Sequence, residues 1–342
     1  MPRQPTQAEV FDDLLARYER EIADAFRAAV DDLGAQADLA GAIEALSRND
    51  IAGALEALHI DPAAFNGLQD AIARAYGEGG TSMASIAARR TPAGVVIRFD
   101  GRNPRAEAWL RQNGAALVTR IIQDQRTAIR NALVAGMERG QNPRAVALDV
   151  VGRINRATGK REGGVIGLTE QQEGFARTAR GELRSGDPAA LRRYLERARR
   201  DKRFDRSVQK AIRTGEPLPA DTAAKAEAAY RNRLLQLRGE TIGRTEALTS
   251  LQASKFEAMV QAVESGQVDE AAVRKSWRSA GDLRVRDTHR ALHGDSVGLR
   301  EPFRSPSGAR LMFPGDPSAP VAETIQCRCD VNYRIDFLAN IR

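Results

Sequence analysis

Cysteine is nearly absent from this chain, with two among 342 residues, and histidine is scarcely commoner, at three. The two cysteines stand one residue apart, which excludes a secreted disulfide scaffold. A bridge closing so short a loop would be strained, so reduced thiols are expected. No stretch approaches the roughly 18 apolar residues of a membrane-spanning helix. The opening Met1-Pro-Arg-Gln-Pro-Thr-Gln is polar and lacks the apolar core of a signal peptide, so synthesis and folding in a cytoplasm are expected. There is no G-x-S-x-G, no H-E-x-x-H and no Walker loop, so no familiar motif anchors a reaction.

Charge is present and uneven. Lys and Arg number 52 against 45 Asp and Glu, a net +7. From Arg177 to Arg213 there are 13 basic and 5 acidic residues, a local surplus of 8 that exceeds the total for the chain. The densest part comprises Arg192, Arg193, Arg197, Arg199, Arg200, Lys202, Arg203 and Arg206. A concentrated basic surface is the footprint expected for a phosphate or nucleic-acid partner. Such a surface would grip duplex DNA through its phosphates without reading sequence, and binding would fall steeply with salt. Tyr194 and Phe204 are its only aromatics, too few for base stacking on single strands. A solvated helix face, with Glu196 and Asp201 as counter-charges, and an acidic protein partner are the competing readings.

The length fits two or three domains. Residues 7–78 are Ala-rich, with Val10, Leu14, Leu15, Tyr18, Ile22 and Phe26 at helical spacing. Asp50 and Asp61-Pro62 read as helix starts, and Gly77 to Ser82 as a linker. Val95 to Phe99 reads as a short strand. Leu117, Ile121, Ile129, Leu133 and Met137 mark a long amphipathic helix that stops at Gly140. Asn142-Pro143 restarts the chain. Thr169 and Gln172 have capping-box spacing. Asp221 is expected to cap a long helix ending at Gly266. Strands are expected at Val273–Arg278, from Arg310 to Phe313 and from Cys329 to Ile335, with a helical turn from Asp287 to Leu292. The expected fold is mainly α-helical in the N-terminal and middle regions, with a small C-terminal α+β domain. The boundaries fall at 1–92, 93–240 and 241–342.

Both cysteines and two of the three histidines fall in that last region. His289 and His293 are four apart, so a helix would put both imidazoles on one face. With Cys327 and Cys329 they make a candidate Cys₂His₂ set, a donor combination that selects zinc and would help a Pro- and Gly-rich unit stay folded. The competing reading makes the thiols small core residues and His289 a hydrogen-bonded buried histidine. Glu246, Asp282, Arg284, Arg286 and Asp287 form a second constellation. It reads as a buried ion-pair network in which Glu246 orients Arg284 or Arg286 and fixes how the long helix docks, or as an acid/base pair of Glu246 and Asp287 beside His289.

Ile242-Gly-Arg244-Thr245-Glu246, Asp282-Leu-Arg284-Val-Arg286-Asp-Thr-His289, Pro314-Gly-Asp316 and Cys327-Arg328-Cys329 occur in an order and spacing that resembles the Mu F-like phage head morphogenesis family. These motifs cover residues 240–335. The helical stretch 105–240, with Gly140-Gln-Asn-Pro143 and Gly167-Leu-Thr-Glu-Gln, is similar to the region preceding that domain in Mu-like phages. One departure is Gln326, where the family has Asn before Cys-Arg-Cys. The resemblance implies a non-enzymatic minor head protein of the virion, assembled in the host cytoplasm. It would associate with the portal or the major capsid protein and contact the packaged double-stranded DNA. Glu246, Asp282, Arg284, Arg286 and His289 are then structural motif residues. The rivals are a metal-dependent hydrolase or toxin-like domain using His289, Cys327 and Cys329, and a non-specific DNA-binding protein without a capsid role.

Overall fold

The computed structural model describes residues 3–89, 91–92 and 94–337. Met1 and Pro2 of the polar opening segment lie outside them. The helices are α1 (Gln7–Gln36), α2 (Leu39–Ser47), α3 (Ile51–Glu56), α4 (Asn66–Ala88), α5 (Pro104–Glu138) and α6 (Pro143–Val151). They continue with α7 (Glu170–Arg184), α8 (Pro188–Glu196), α9 (Asp205–Thr214), α10 (Ala220–Glu264), α11 (Asp287–Ala291) and α12 (Val321–Thr324). The strands are β1 (Arg153–Ile154), β2 (Arg161–Glu162), β3 (Val273–Arg278), β4 (Ser296–Gly298), β5 (Phe303–Arg304), β6 (Arg310–Leu311) and β7 (Asp330–Ile335). The N-terminal and middle regions are thus helical, and the small antiparallel sheets that carry β3 to β7 lie in the C-terminal region.

Local sequence explains many of these boundaries. Asp50 accepts from Gly53 N as the N-cap of α3. Asn142 caps α6 with Pro143 in its first turn, and Gly140, at φ +65°, occupies the left-handed region that ends α5. The Thr169–Gln172 capping box forms in both directions at the start of α7. Asp221 lies one residue inside α10, where its carboxylate pairs with Lys225 at 2.7 Å. It complements the positive helix end without capping it.

The chain gathers into two compact units, and neither is a continuous stretch. One comprises residues 1–26, 67–116 and 240–342; the other comprises 27–66 and 117–239.

In the first unit, Phe11, Leu15, Tyr18, Ile22, Ile72, Tyr76, Leu248, Leu251 and Met259 are buried. The linker expected from Gly77 to Ser82 is continuous α4. A Cβ on Gly79 would meet Ser254 Oγ at 2.5 Å, and one on Gly80 would meet the Phe99 ring at 2.5 Å. These glycines allow close approach; they do not break the helix. Among the described residues, Val95 to Phe99 pairs with no strand. Its backbone is held instead by glutamine side chains of and just beyond α10: Val96 N donates to Gln267 Oε1, and Asp100 N to Gln261 Oε1, both at 2.8 Å. The C-terminal sheet has strand order β4-β3-β7, antiparallel throughout, with Trp277 opposite Val331 and Lys275 opposite Tyr333. Strands β5 and β6 form a separate hairpin ladder.

In the second unit, α7, α8, α9 and part of α10 share a core of Leu168, Leu183, Leu191, Tyr194, Val208, Tyr230 and Leu234. The ladder of β1 and β2 pairs Arg153 with Glu162.

Candidate metal centre and basic surface

His289 is placed by a helix too short to stand alone. The turn before α11 is closed by Val285 N donating to Asp282 O, and His289 N then donates to Arg286 O. Its ring packs edge-on against Trp277 of β3, with centroids 5.0 Å apart, and is 1% exposed. Cys327 and Cys329 come from the turn between α12 and β7. Gln326 opens that turn at φ +52°, a left-handed conformation that favours Asn or Gly over Gln. Its backbone N donates to Thr245 Oγ1 at 3.2 Å and its side chain to Thr241 Oγ1 at 2.8 Å. Two threonines of α10 thus steady the residue in which this chain departs from the family pattern.

The three side chains converge. Cys327 Sγ lies 3.4 Å and Cys329 Sγ 3.6 Å from the same atom, His289 Nδ1. All three donor atoms fall within 4.8 Å of one another and all three residues are buried. The other ring nitrogen, Nε2, sits 2.8 Å from Glu323 Oε2. Glu323 is itself held: Ser307 Oγ donates to its Oε1 at 2.5 Å, Ser305 Oγ at 3.3 Å, and Thr288 Oγ1 to Oε2 at 3.1 Å. Burial alone would push the Glu323 carboxyl up, but the Ser307 and Thr288 hydroxyls and the imidazole hold it below its ordinary value. The hydrogen bond from Cys327, together with those from His289 and Ala280, lowers the Cys329 thiol, while the same bond and burial raise Cys327.

His293 does not join them. Helix α11 ends at Ala291, so the i, i+4 geometry that would align His293 with His289 is lost. Its Nδ1 accepts from Ser279 N at 3.1 Å instead. Glu323 takes a place beside the cluster that no spacing rule assigns to it.

The second constellation is mostly a surface one, contrary to a buried network. Asp282, Arg284 and Asp287 are exposed. Asp282 takes both guanidinium nitrogens of Arg328, at 2.5 and 2.6 Å, and caps Arg284 N at 2.9 Å. Asp287 pairs with Arg290 at 3.1 Å, and Arg286 donates to Ile325 O. Glu246 is buried and accepts from Asn113 Nδ2 at 3.2 Å. An exposed Asp287 tied to Arg290 lacks the desolvation that would tune an acid/base partner for His289.

A family model described as Phage Mu protein F like protein matches residues 127–332. The chain belongs to that family. Among curated proteins, the uncharacterized protein YqbB of Bacillus subtilis (strain 168) is 30% identical over 102 residues. That match covers 29% of this chain and 31% of the relative, so the chain spans under a third of the relative's length. No solved structure matches significantly.

Within this Mu F-like chain, the motif residues of α10 hold α1, α5 and the turn before β7. A Cβ on Gly243 would stand 2.3 Å from Glu19 O, so glycine permits α10 to lie against α1. Arg244 pairs with Glu19 at 2.7 Å, and Thr245 and Glu246 reach Gln326 and Asn113. Asp316 folds the Pro314-Gly-Asp316 turn by accepting from Met312 N at 2.8 Å and Ser318 N at 2.9 Å.

The basic segment of the Mu F-like protein divides into two sets. Arg197 forms a bidentate pair with Glu182 at 2.6 and 3.0 Å and also reaches Tyr230 Oη at 3.3 Å. Arg200 pairs with Asp205 at 2.9 Å, and Arg203 with Asp201 at 2.6 Å. Arg197 and Arg200 are half-buried and committed to the fold. Arg192, Arg193, Arg199, Lys202 and Arg206 are exposed, and have no ion pair among the described residues.

Proposed function

We propose that this chain is a minor head protein acting in capsid assembly at or near the portal, and that its exposed basic residues contact the packaged double-stranded DNA. Membership of the Mu F-like family, over residues 127–332, carries the reading. That family points to phage head morphogenesis and to the virion. Among the described residues, no helix is long and apolar enough to cross a membrane. The major capsid protein and the portal are the partners this reading requires.

A structural role suits the motif chemistry. Gly243, Thr245, Glu246 and Asp316 spend their groups on turns and helix contacts within the first unit. The DNA contact falls to Arg192, Arg193, Arg199, Lys202 and Arg206, whose charges are unspent. Each would neutralise a phosphate and release a counterion, giving sequence-independent, salt-sensitive binding.

Heads purified from the phage that encodes this chain provide the test. Quantitative mass spectrometry should find the chain in every head preparation, at a small fraction of the major capsid protein, and cross-linking should tie it to the portal. Gene deletion should abolish infectious heads. Heads of full infectivity that lack the chain would overturn the reading.

A further inference from the structure

We propose that His289, Cys327 and Cys329 bind one zinc ion, with His289 donating through Nδ1 and the Glu323 carboxylate beside its other ring nitrogen.

The distances carry the assignment. A tetrahedral zinc with Zn–N near 2.0 Å and Zn–S near 2.3 Å separates the nitrogen from each sulfur by roughly 3.5 Å. The structure holds the two sulfurs 3.4 and 3.6 Å from Nδ1, the edges of such a tetrahedron. A hydrogen bond would not need this arrangement. With Nε2 turned toward a carboxylate, Nδ1 carries a single lone pair and can accept from one thiol; here two thiols face it.

The surroundings fit a metal-bound histidine. Zinc-bound imidazoles commonly present their second nitrogen to a carboxylate that fixes tautomer and ring orientation. Glu323 Oε2 lies at ion-pair distance from Nε2, 2.8 Å, without a well-aligned hydrogen bond to it, and is immobilised by Ser305, Ser307 and Thr288. The sulfurs also have donors: Cys329 N points to Cys327 Sγ at 3.5 Å. Two thiolates and an imidazole are soft donors that favour zinc over magnesium or calcium. Burial of the whole cluster makes metal binding and the folding of this region one equilibrium. His293, bonded to Ser279, is excluded from the ligand set.

The test uses the full-length chain, produced with zinc in the medium and dialysed against metal-free buffer. Elemental analysis should return about one zinc per chain. After replacement by cobalt, the spectrum should show thiolate-to-cobalt charge transfer and the intense visible bands of a tetrahedral site. Cys327→Ser and Cys329→Ser should lose the metal. His293→Gln should keep it at full stoichiometry. Glu323→Gln should keep the cobalt spectrum while weakening zinc 10- to 100-fold in competition with a chelator. Loss of a buried ligand can unfold the cysteine variants, so the wild-type and His293→Gln measurements decide independently. A soluble, folded wild-type chain that takes up no zinc at micromolar concentrations overturns the proposal. Loss of zinc in His293→Gln overturns the ligand set.

Discussion

Burial of charge is the feature that most needs accounting for at the scale of single residues. Lys255 and Asp330 are both buried and pair at 2.5 Å, with Lys255 Nζ also donating to Val331 O at 2.9 Å. Among the described residues, Lys275 forms no such ion pair, and Asp316 and Glu301 act on it only from a distance. Its Nζ donates to Met312 O at 2.8 Å and lies 5.3 Å from the centroids of Phe256 and Phe303. Burial therefore lowers its pKa from the ordinary lysine value to about 7. Below that value the folded state carries a charge it holds at a cost. Between about 7 and the ordinary value, the unfolded chain binds the extra proton, so stability rises with pH across that window. Lys275→Met should flatten this rise, removing up to about 1.4 kcal/mol per pH unit. Urea titrations of both proteins between about pH 7 and 9 read the difference; parallel slopes would refute the assignment. Cys327, Cys329 and His289 are legible in the sequence because thiols and imidazoles are so rare in it. His293 misleads because the i, i+4 rule holds only where helix persists, and α11 ends first. Glu323 is illegible, one ordinary acid among many, placed by a fold that brings Ser305, Ser307 and Thr288 around it.

Glycine marks the main difference between pattern and structure at the scale of elements. Caps and left-handed helix ends, as at Asn142, Thr169, Gly140 and Gly266, follow from local backbone chemistry and are readable directly. Gly79, Gly80 and Gly243 lie within helices, where local propensity reads a glycine as a weakness. Only the neighbouring element shows its use. Val95 to Phe99 departs from the strand pattern for a similar reason: an apolar run specifies burial, and side chains of Gln261 and Gln267, not a neighbouring strand, take backbone groups of Val96 and Asp100. Gly243→Ala separates the two effects. Helix propensity favours alanine by about 1 kcal/mol. The new Cβ meets Glu19 O at 2.3 Å and Ala23 Cβ at 2.9 Å, backbone and near-backbone atoms that no rotamer change can move. Overpacking of this kind costs about 1–3 kcal/mol, so the net effect should be destabilising. Gly181 of α7 has open space at its Cβ position. Gly181→Ala should raise stability by about 0.5–1 kcal/mol. Chemical denaturation of the two variants checks the contrast, and a stabilising Gly243→Ala would contradict the close approach.

For the whole molecule, net charge and its distribution answer different questions. The surplus of 8 between residues 177 and 213 is legible in the sequence, but which charges remain available is not, because counting cannot see pairing. The same holds for the compact units: each is assembled from separate stretches of chain, and α1, α5 and α10 each contribute residues to both. Pairing divides the basic residues by consequence. Arg197 and Glu182 are largely buried and bidentate. Arg197→Ala strands Glu182 in the interior and should lower stability by about 3 kcal/mol, because an uncompensated buried charge is the dominant cost. Joint replacement of Arg192, Arg193, Arg199, Lys202 and Arg206 by glutamine removes five exposed charges that form no ion pair among the described residues. That variant should melt with the wild type. Its binding to duplex DNA of random sequence should weaken, and the slope of log affinity against log salt should shrink by about 0.9 for each residue that contacts a phosphate. Thermal melting and a salt series of DNA-binding measurements, made on both variants, separate the roles. A five-residue variant with the wild-type salt slope would leave this surface to a protein partner, whereas a destabilised one would return those side chains to the fold.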